Sequence, residues 1–345
     1  MIIKNRYLIL ILTLVFRYVQ FYNLTSNNSL LCYIFVIAIF GLSLLEILSL
    51  KFNKRDFIKI ILVLCLTLIC FLLNTDSNLF LYALVAIAFI NHKNDDLIKC
   101  FFITSITMYV TTIILNQFGI ISSNNATRTA EIDSKIRYSL GFGHVNSVFL
   151  YFLPILYSGY YLFSKNKTYI LISFISSLIL FIFSNCRTGF IFSILFIVVI
   201  SSDKIKKFLK INIKYFFIMI TFLTFILSLK FSNGILNDFL SGRLSYAHNY
   251  IVSGNLFNMF SSKYLLDDPL DIFYINVFIT EGIPMFLFYL YLYSFVIKKI
   301  KDEKLLIIAC FFMFYGLSEA STIGNFILII LLKELFSINK VSLDD

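Results

Sequence analysis

The sequence predicts an all-α fold, a polytopic bundle of membrane-spanning helices. Of 345 residues, 59% are hydrophobic and only 14% are charged, and mean hydropathy is +0.89. Soluble domains run near one quarter charged, so this chain lacks the polar surface to cover a water-soluble globule. Apolar runs of about 17 or more residues recur from end to end, each long enough to cross roughly 30 Å of hydrocarbon. They lack the alternation of membrane β-strands, which leaves helices to satisfy the backbone in lipid.

Helices are expected near residues 7–22, 29–49, 57–73, 78–90, 97–121, 145–163, 168–184, 189–201, 215–231, 273–296, 305–317 and 323–337, about twelve spans in one domain. The first follows a basic start, as in a secretion signal. It lacks a small-residue cleavage site, so it reads as an uncleaved span. The fourth, eighth and eleventh are short, as expected of tilted or half-buried partners. With no repeat signature or low-complexity linker, the chain reads as a single polytopic unit.

Lysine and arginine set the sidedness. With the N-terminus inside, 21 of the 29 cations fall on the cytoplasmic side. Seven fall outside: Arg128, Lys135, Arg137, Arg187, Lys230, Arg243 and Lys263; Arg17 lies within the first span. That asymmetry is the positive-inside pattern and places both termini in the cytoplasm. It also accounts for the formal charge of +10 without nucleic acid. Arg6 and Arg55 are the two inside arginines, whereas four of the seven outside cations are arginine. A planar, permanently charged fork suits phosphate or carboxylate, so the outer arginines are candidate binding groups.

Two outer segments are long, about 122–144 and 232–272, and they mark the outer face as the one carrying chemistry. In the first, Gly141 and Gly143 allow close approach or unusual φ, and His144 and Asn146 bring polar groups to the membrane surface. Asn146 serves equally well as a helix start. Arg187 sits in the short Ser184-Asn185-Cys186-Arg187-Thr188-Gly189 corner, where a cation between apolar helices is either functional or snorkelling. In the second, Ser241-Gly242-Arg243 opens a helix with Arg243, Ala247 and Tyr250 on one face and His248 on the next. Asp267, Asp268 and Asp271 flank Pro269. Asp271 reads either as a helix N-cap or as a general base. Glu281 and Glu319 are further acids in or near spans.

Several classes are excluded. The six cysteines form no CxxC pair and indicate neither a disulfide framework nor a zinc site. P-loop, dinucleotide and HExxH motifs are missing. The first outer loop, NLTSNN, has no acid, which weakens the comparison with lipid-sugar glycosyltransferases that place an acidic motif there without excluding that class.

At R-Y-S-L-G-F-G-H-V-N (137–146), S-N-C-R-T-G (184–189), S-G-R-L (241–244), L-D-I-F-Y-I (270–275) and E-G-I (281–283), the chain resembles the Wzy-type O-antigen and capsular polysaccharide polymerases, relatives of the O-antigen ligases. Roughly residues 95–330 carry the resemblance. Val145 stands where capsule polymerases usually have Pro, and Ile272-Phe273 replaces the usual small polar residues.

The resemblance implies a GT-C-like helical fold in the bacterial cytoplasmic membrane. It implies joining of oligosaccharide repeat units carried on a polyprenyl pyrophosphate, with no metal or other cofactor. A flippase and a chain-length regulator of the same pathway are the implied partners. Arg187 and Arg243, then Arg137, would grip the pyrophosphate, with His144, Asn146 and Glu319 lining the site. Asp271, then His248, would serve as the base. A ligase with a different acceptor remains open, as does a flippase, which would show interrupted helices and intramembrane charge.

Overall fold

The computed structural model describes residues 4–21, 28–50, 52–73, 79–123, 126–127, 136–164, 166–234, 237, 242–252, 271–319 and 325–336. Asp267, Asp268, Pro269, Ser241 and residues 124–125 and 128–135 of the first long outer loop lie outside the described residues. Among the described residues the regular structure is helical apart from one two-stranded antiparallel ladder, β1 (Ala126–Thr127) with β2 (Ile136–Arg137).

The helices are α1 (Asn5–Phe21), α2 (Asn28–Ser49), α3 (Lys54–Leu73), α4 (Leu79–Ala88), α5 (Asn94–Gln117), α6 (Ser147–Phe163), α7 (Lys167–Ser184), α8 (Arg187–Ile200), α9 (Asp203–Lys230), α10 (Arg243–Val252), α11 (Phe273–Asn276), α12 (Ile283–Ser294), α13 (Glu303–Tyr315) and α14 (Phe326–Phe336). Four of them, α3, α5, α7 and α9, are long and apolar enough to cross a membrane. Their outer faces are rows of exposed apolar side chains. On α7 these are Leu171, Ile172, Phe174, Ile175, Leu178 and Ile179. A stripe of that kind has no favourable place in water and is covered by lipid chains without cost.

The chain divides into two compact units. The first comprises Met1–Leu50, Asn91–Asp203 and Ile323–Phe326. Its axis is α6, buried continuously from Ser147 to Tyr161. Aromatic packing sets the spacing: Tyr151 lies 4.4 Å from Tyr18 on α1, and Tyr157 lies 4.6 Å from Phe196 on α8. Tyr109 of α5 donates its hydroxyl to the Val148 carbonyl at 3.1 Å. Gly189 lets α8 close against α6, because a Cβ there would overlap the Phe149 side chain.

The second unit comprises Lys51–Ile90, Lys204–Thr322 and Ile327–Asp345. Its α4 is short but wholly buried. Phe217 of α9 stacks 5.3 Å from Tyr293 of α12 and meets Tyr274 of α11 at 5.2 Å. Helix α10 presents Leu244, Ala247 and Tyr250 to Ile272, Ile275 and Ile279, forming a small core of its own.

Two expectations need correction. The span expected over 273–296 is broken: α11 runs into a π turn (Val277–Glu281), and Gly282 (φ 86°) precedes α12. The Gly-Ile-Pro run causes this. Proline at 284 has no N–H for a continuous ladder but fits a first helical turn, and glycine supplies the left-handed φ before it. The helix expected from 215 begins at Asp203 instead. Lysine is a good helix former whose stem covers apolar surface, so the Lys-rich stretch continues the helix rather than forming a loop.

Candidate functional site

Three elements of the second unit converge on Arg243. Gly242 (φ 82°) turns the chain into α10, so Arg243 is its first residue and stands on the buried stripe with Leu244, Ala247 and Tyr250. Asp271 precedes α11, whose position is held by the Phe273 N–H donating to the Gly316 carbonyl at 2.9 Å. Glu319 follows the end of α13, with its N–H donating to the Tyr315 carbonyl at 3.1 Å.

The side chains meet as a carboxylate–guanidinium–carboxylate trio. Arg243 donates from Nε to Asp271 Oδ2 at 3.0 Å and from Nη2 to Glu319 Oε1 at 2.9 Å. Arg243 and Glu319 side chains are only 6% and 10% exposed, whereas Asp271 keeps 39%. Burial works against the guanidinium charge, but Glu319 and Asp271 outweigh it and hold the Arg243 pKa above its ordinary value. Burial dominates at Glu319. Opposed by Arg243 and reinforced by the Asp271 charge, it pushes this carboxyl up to about 7.

One cation facing two acids makes a poor phosphate grip, because the trio carries net negative charge when both acids are ionised. The exposed, braced group is Asp271. The N-cap alternative for Asp271 is overturned: Ile272 occupies that position, and α11 has no side-chain cap. His248 lies on the same helix as Arg243 but turns to α9, where its Nδ1 is 3.2 Å from the Ser228 carbonyl. It ties α10 to α9 and is not brought into the trio.

A second cluster belongs to the first unit. Arg137 donates from Nε to the Ser184 carbonyl at 3.2 Å and from Nη2 to Asn146 Oδ1 at 3.3 Å. Tyr138 N–H donates to the Phe183 carbonyl at 3.0 Å, fastening β2 to the end of α7. Asn185, left-handed at φ 45°, closes α7, and Arg187 follows as the exposed first residue of α8. The Asn146 N–H donates to His144 Nδ1 at 3.2 Å. Asn146 does stand at the N-cap position of α6, but its side chain makes no cap bond. It faces Arg137 and the Cys186 thiol, 3.7 Å away. Beside this corner runs a groove of about 590 Å³ lined by Ile136, Tyr138, Phe181, Ile182 and Asn185. A trough of mixed polar and apolar lining, whose Ile136 and Tyr138 bracket Arg137 in the chain, can take an amphiphile with an anionic head.

Sequence reasoning missed the roles of Ser184 and Cys186, because a backbone carbonyl and a lone thiol leave no motif. It singled out Glu281, which is buried in the π turn, its carbonyl 3.9 Å from the Cys70 thiol of α3. Among the described residues, no three His, Cys, Asp or Glu side chains gather as a metal site. The chain matches no protein-family model, no curated protein and no solved structure.

Proposed function

We propose that this chain is a multi-pass glycosyltransferase of the bacterial cytoplasmic membrane. In this reading it polymerises polyprenyl-pyrophosphate-linked oligosaccharide repeat units on the outer face of that membrane. The observation that carries the reading is the solvent-reachable Asp271 carboxylate, fixed by a buried arginine that is itself anchored on Glu319. Chain joining needs such a group: a hydroxyl must lose its proton at a defined place.

The hydroxyl of one unit gives its proton to Asp271 as its oxygen bonds to the anomeric carbon of the other. The bond from that carbon to the pyrophosphate oxygen breaks, and the pyrophosphate stays on the carrier lipid. Asp271 then releases the proton to water. When both acids are ionised, the trio's net negative charge also favours positive charge growing at the anomeric carbon. Arg243 thereby moves from gripping phosphate, its expected role, to orienting the base. Arg187 and Arg137, the other arginines expected to grip the pyrophosphate, belong to the first unit.

The test is surface-glycan length by gel in cells lacking the gene, complemented with wild type, Asp271→Asn or Arg187→Ala at equal protein level. Single-unit glycan in the deletion, lengthened by wild type and not by either variant, supports the reading. Normal glycan length in the deletion overturns it.

A flippase or related transporter is the second reading. Its support is the interrupted α11–α12 segment with Glu281 buried at the break, a feature of transporter binding sites. Repeat units trapped on the cytoplasmic face of the deletion strain would decide for it.

A further inference from the structure

The start of α5, the end of α6 and the start of α7 enclose a crevice of about 310 Å³, within the roughly 300–1,000 Å³ range of ligand pockets. Its walls are apolar, with Phe102, Ile106, Leu156 and Ile172 among them, and its lip is polar at Asn166 and Thr168. The shape is built in. Tyr169 donates its hydroxyl to the Leu156 carbonyl, and Asn166 caps α7 by accepting the Thr168 N–H at 2.9 Å. Gly159 keeps the back wall thin: a Cβ there would stand 2.9 Å from the Tyr169 ring and 3.1 Å from Phe102. Ile106 and Ile172 are 39% and 57% exposed, so the crevice opens sideways from the helices.

Two lysines adjoin lining residues along the chain. Lys99 stands one turn before Phe102 on the same face of α5, and Lys167 immediately precedes Thr168. Both are exposed. Among the described residues, neither takes part in an ion pair. Two exposed acids stand at the same end and oppose the lysines: Asp95, which also accepts the Tyr161 hydroxyl, and Asp96. An apolar slot beneath two cations and an amide matches a phosphate headgroup with an acyl chain below it.

We propose that the α5–α6–α7 crevice is a binding site for one anionic phospholipid, its phosphate held between Lys99 and Lys167 and one acyl chain in the slot. The two lysines select an anionic over a zwitterionic headgroup. The site stands apart from the glycosyl-transfer reading.

The test is native mass spectrometry of the detergent-purified full chain, titrated with phosphatidylglycerol and with phosphatidylcholine. Wild type should retain one phosphatidylglycerol at least tenfold more tightly than phosphatidylcholine. Lys99→Gln and Lys167→Gln should each lose about fivefold for phosphatidylglycerol and leave phosphatidylcholine unchanged. Lys99→Arg should bind as wild type does. Ser176→Trp, on the crevice wall, should weaken both lipids, with circular dichroism verifying its helix content. Lys301→Gln, an exposed lysine of the second unit, is the charge control. Equal retention of both lipids, no retained lipid, or glutamine variants that bind as wild type does would each overturn the site.

Discussion

Asp271 accepts the Nε–H of Arg243 at 3.0 Å yet keeps 39% of its side chain exposed. The guanidinium that holds it is nearly sealed from solvent and rests on Glu319. A carboxylate braced from behind and open in front is oriented before any substrate arrives, which is the geometry a general base requires.

In the polymerase reading, Asp271→Asn keeps the shape and removes the proton acceptor. Chain extension should fall by about 10²–10⁴, the usual contribution of a positioned base. The purified protein should melt within about 2 °C of wild type, since the lost partner is half-exposed. Glycan ladders and a thermal scan check the two halves separately.

Arg243→Ala should be the most damaging change to stability in this region. It leaves Glu319 buried beside Asp271 with no counter-charge, and breaking a buried pair costs about 3–5 kcal/mol. Arg243→Ala combined with Glu319→Gln should recover part of that loss. A double-mutant cycle by reversible unfolding in detergent measures the coupling; additive losses would show the pair to be uncoupled.

Glu319 also makes a pH prediction. Its folded pKa, about 7, lies above the ordinary carboxylate value, so the folded chain holds this proton more tightly than the unfolded chain does. The associated stability is fully present below roughly pH 4.5. It fades as pH rises through about 7, at about 1.4 kcal/mol per unit of difference. Wild type should therefore lose melting temperature between pH 5 and pH 8 relative to Glu319→Gln. Parallel melting curves for the two would refute the shift.

Gly189→Ala should lower stability by about 1–3 kcal/mol through overpacking, because the added methyl meets Phe149 of α6. Gly41→Ala in α2 meets nothing within 4 Å and should be neutral or stabilise by about 0.5–1 kcal/mol. Thermal unfolding of both variants checks the contrast.

The helical class was legible because a run of apolar residues has one solution in lipid, and the arginine bias pointed to the residues that form both clusters. Arg243, Asp271 and Glu319 were each singled out, but their charge balance was hidden. Residues 28 and 76 positions apart from Arg243 show no spacing rule that would place two acids on one guanidinium. The π turn before Gly282 was equally hidden, since Val277–Ile279 reads as a plain span and a single Thr280 is common in one. Asn146 was ambiguous in sequence because asparagine caps helices, and the partner that diverts it, Arg137, lies across a turn.

Helix α9 has a mechanical consequence. Its 28 residues make a rod about 42 Å long, against roughly 30 Å of hydrocarbon. The surplus is the lysine-bearing stem, where Lys210 pairs with Glu303. At the far end Ser228 receives His248, and through α10 it bears on the placement of Arg243. A bilayer that changes thickness cannot compress such a rod. It can only tilt it, so membrane thickness becomes a lever on the height and angle at which α10 presents its first residue.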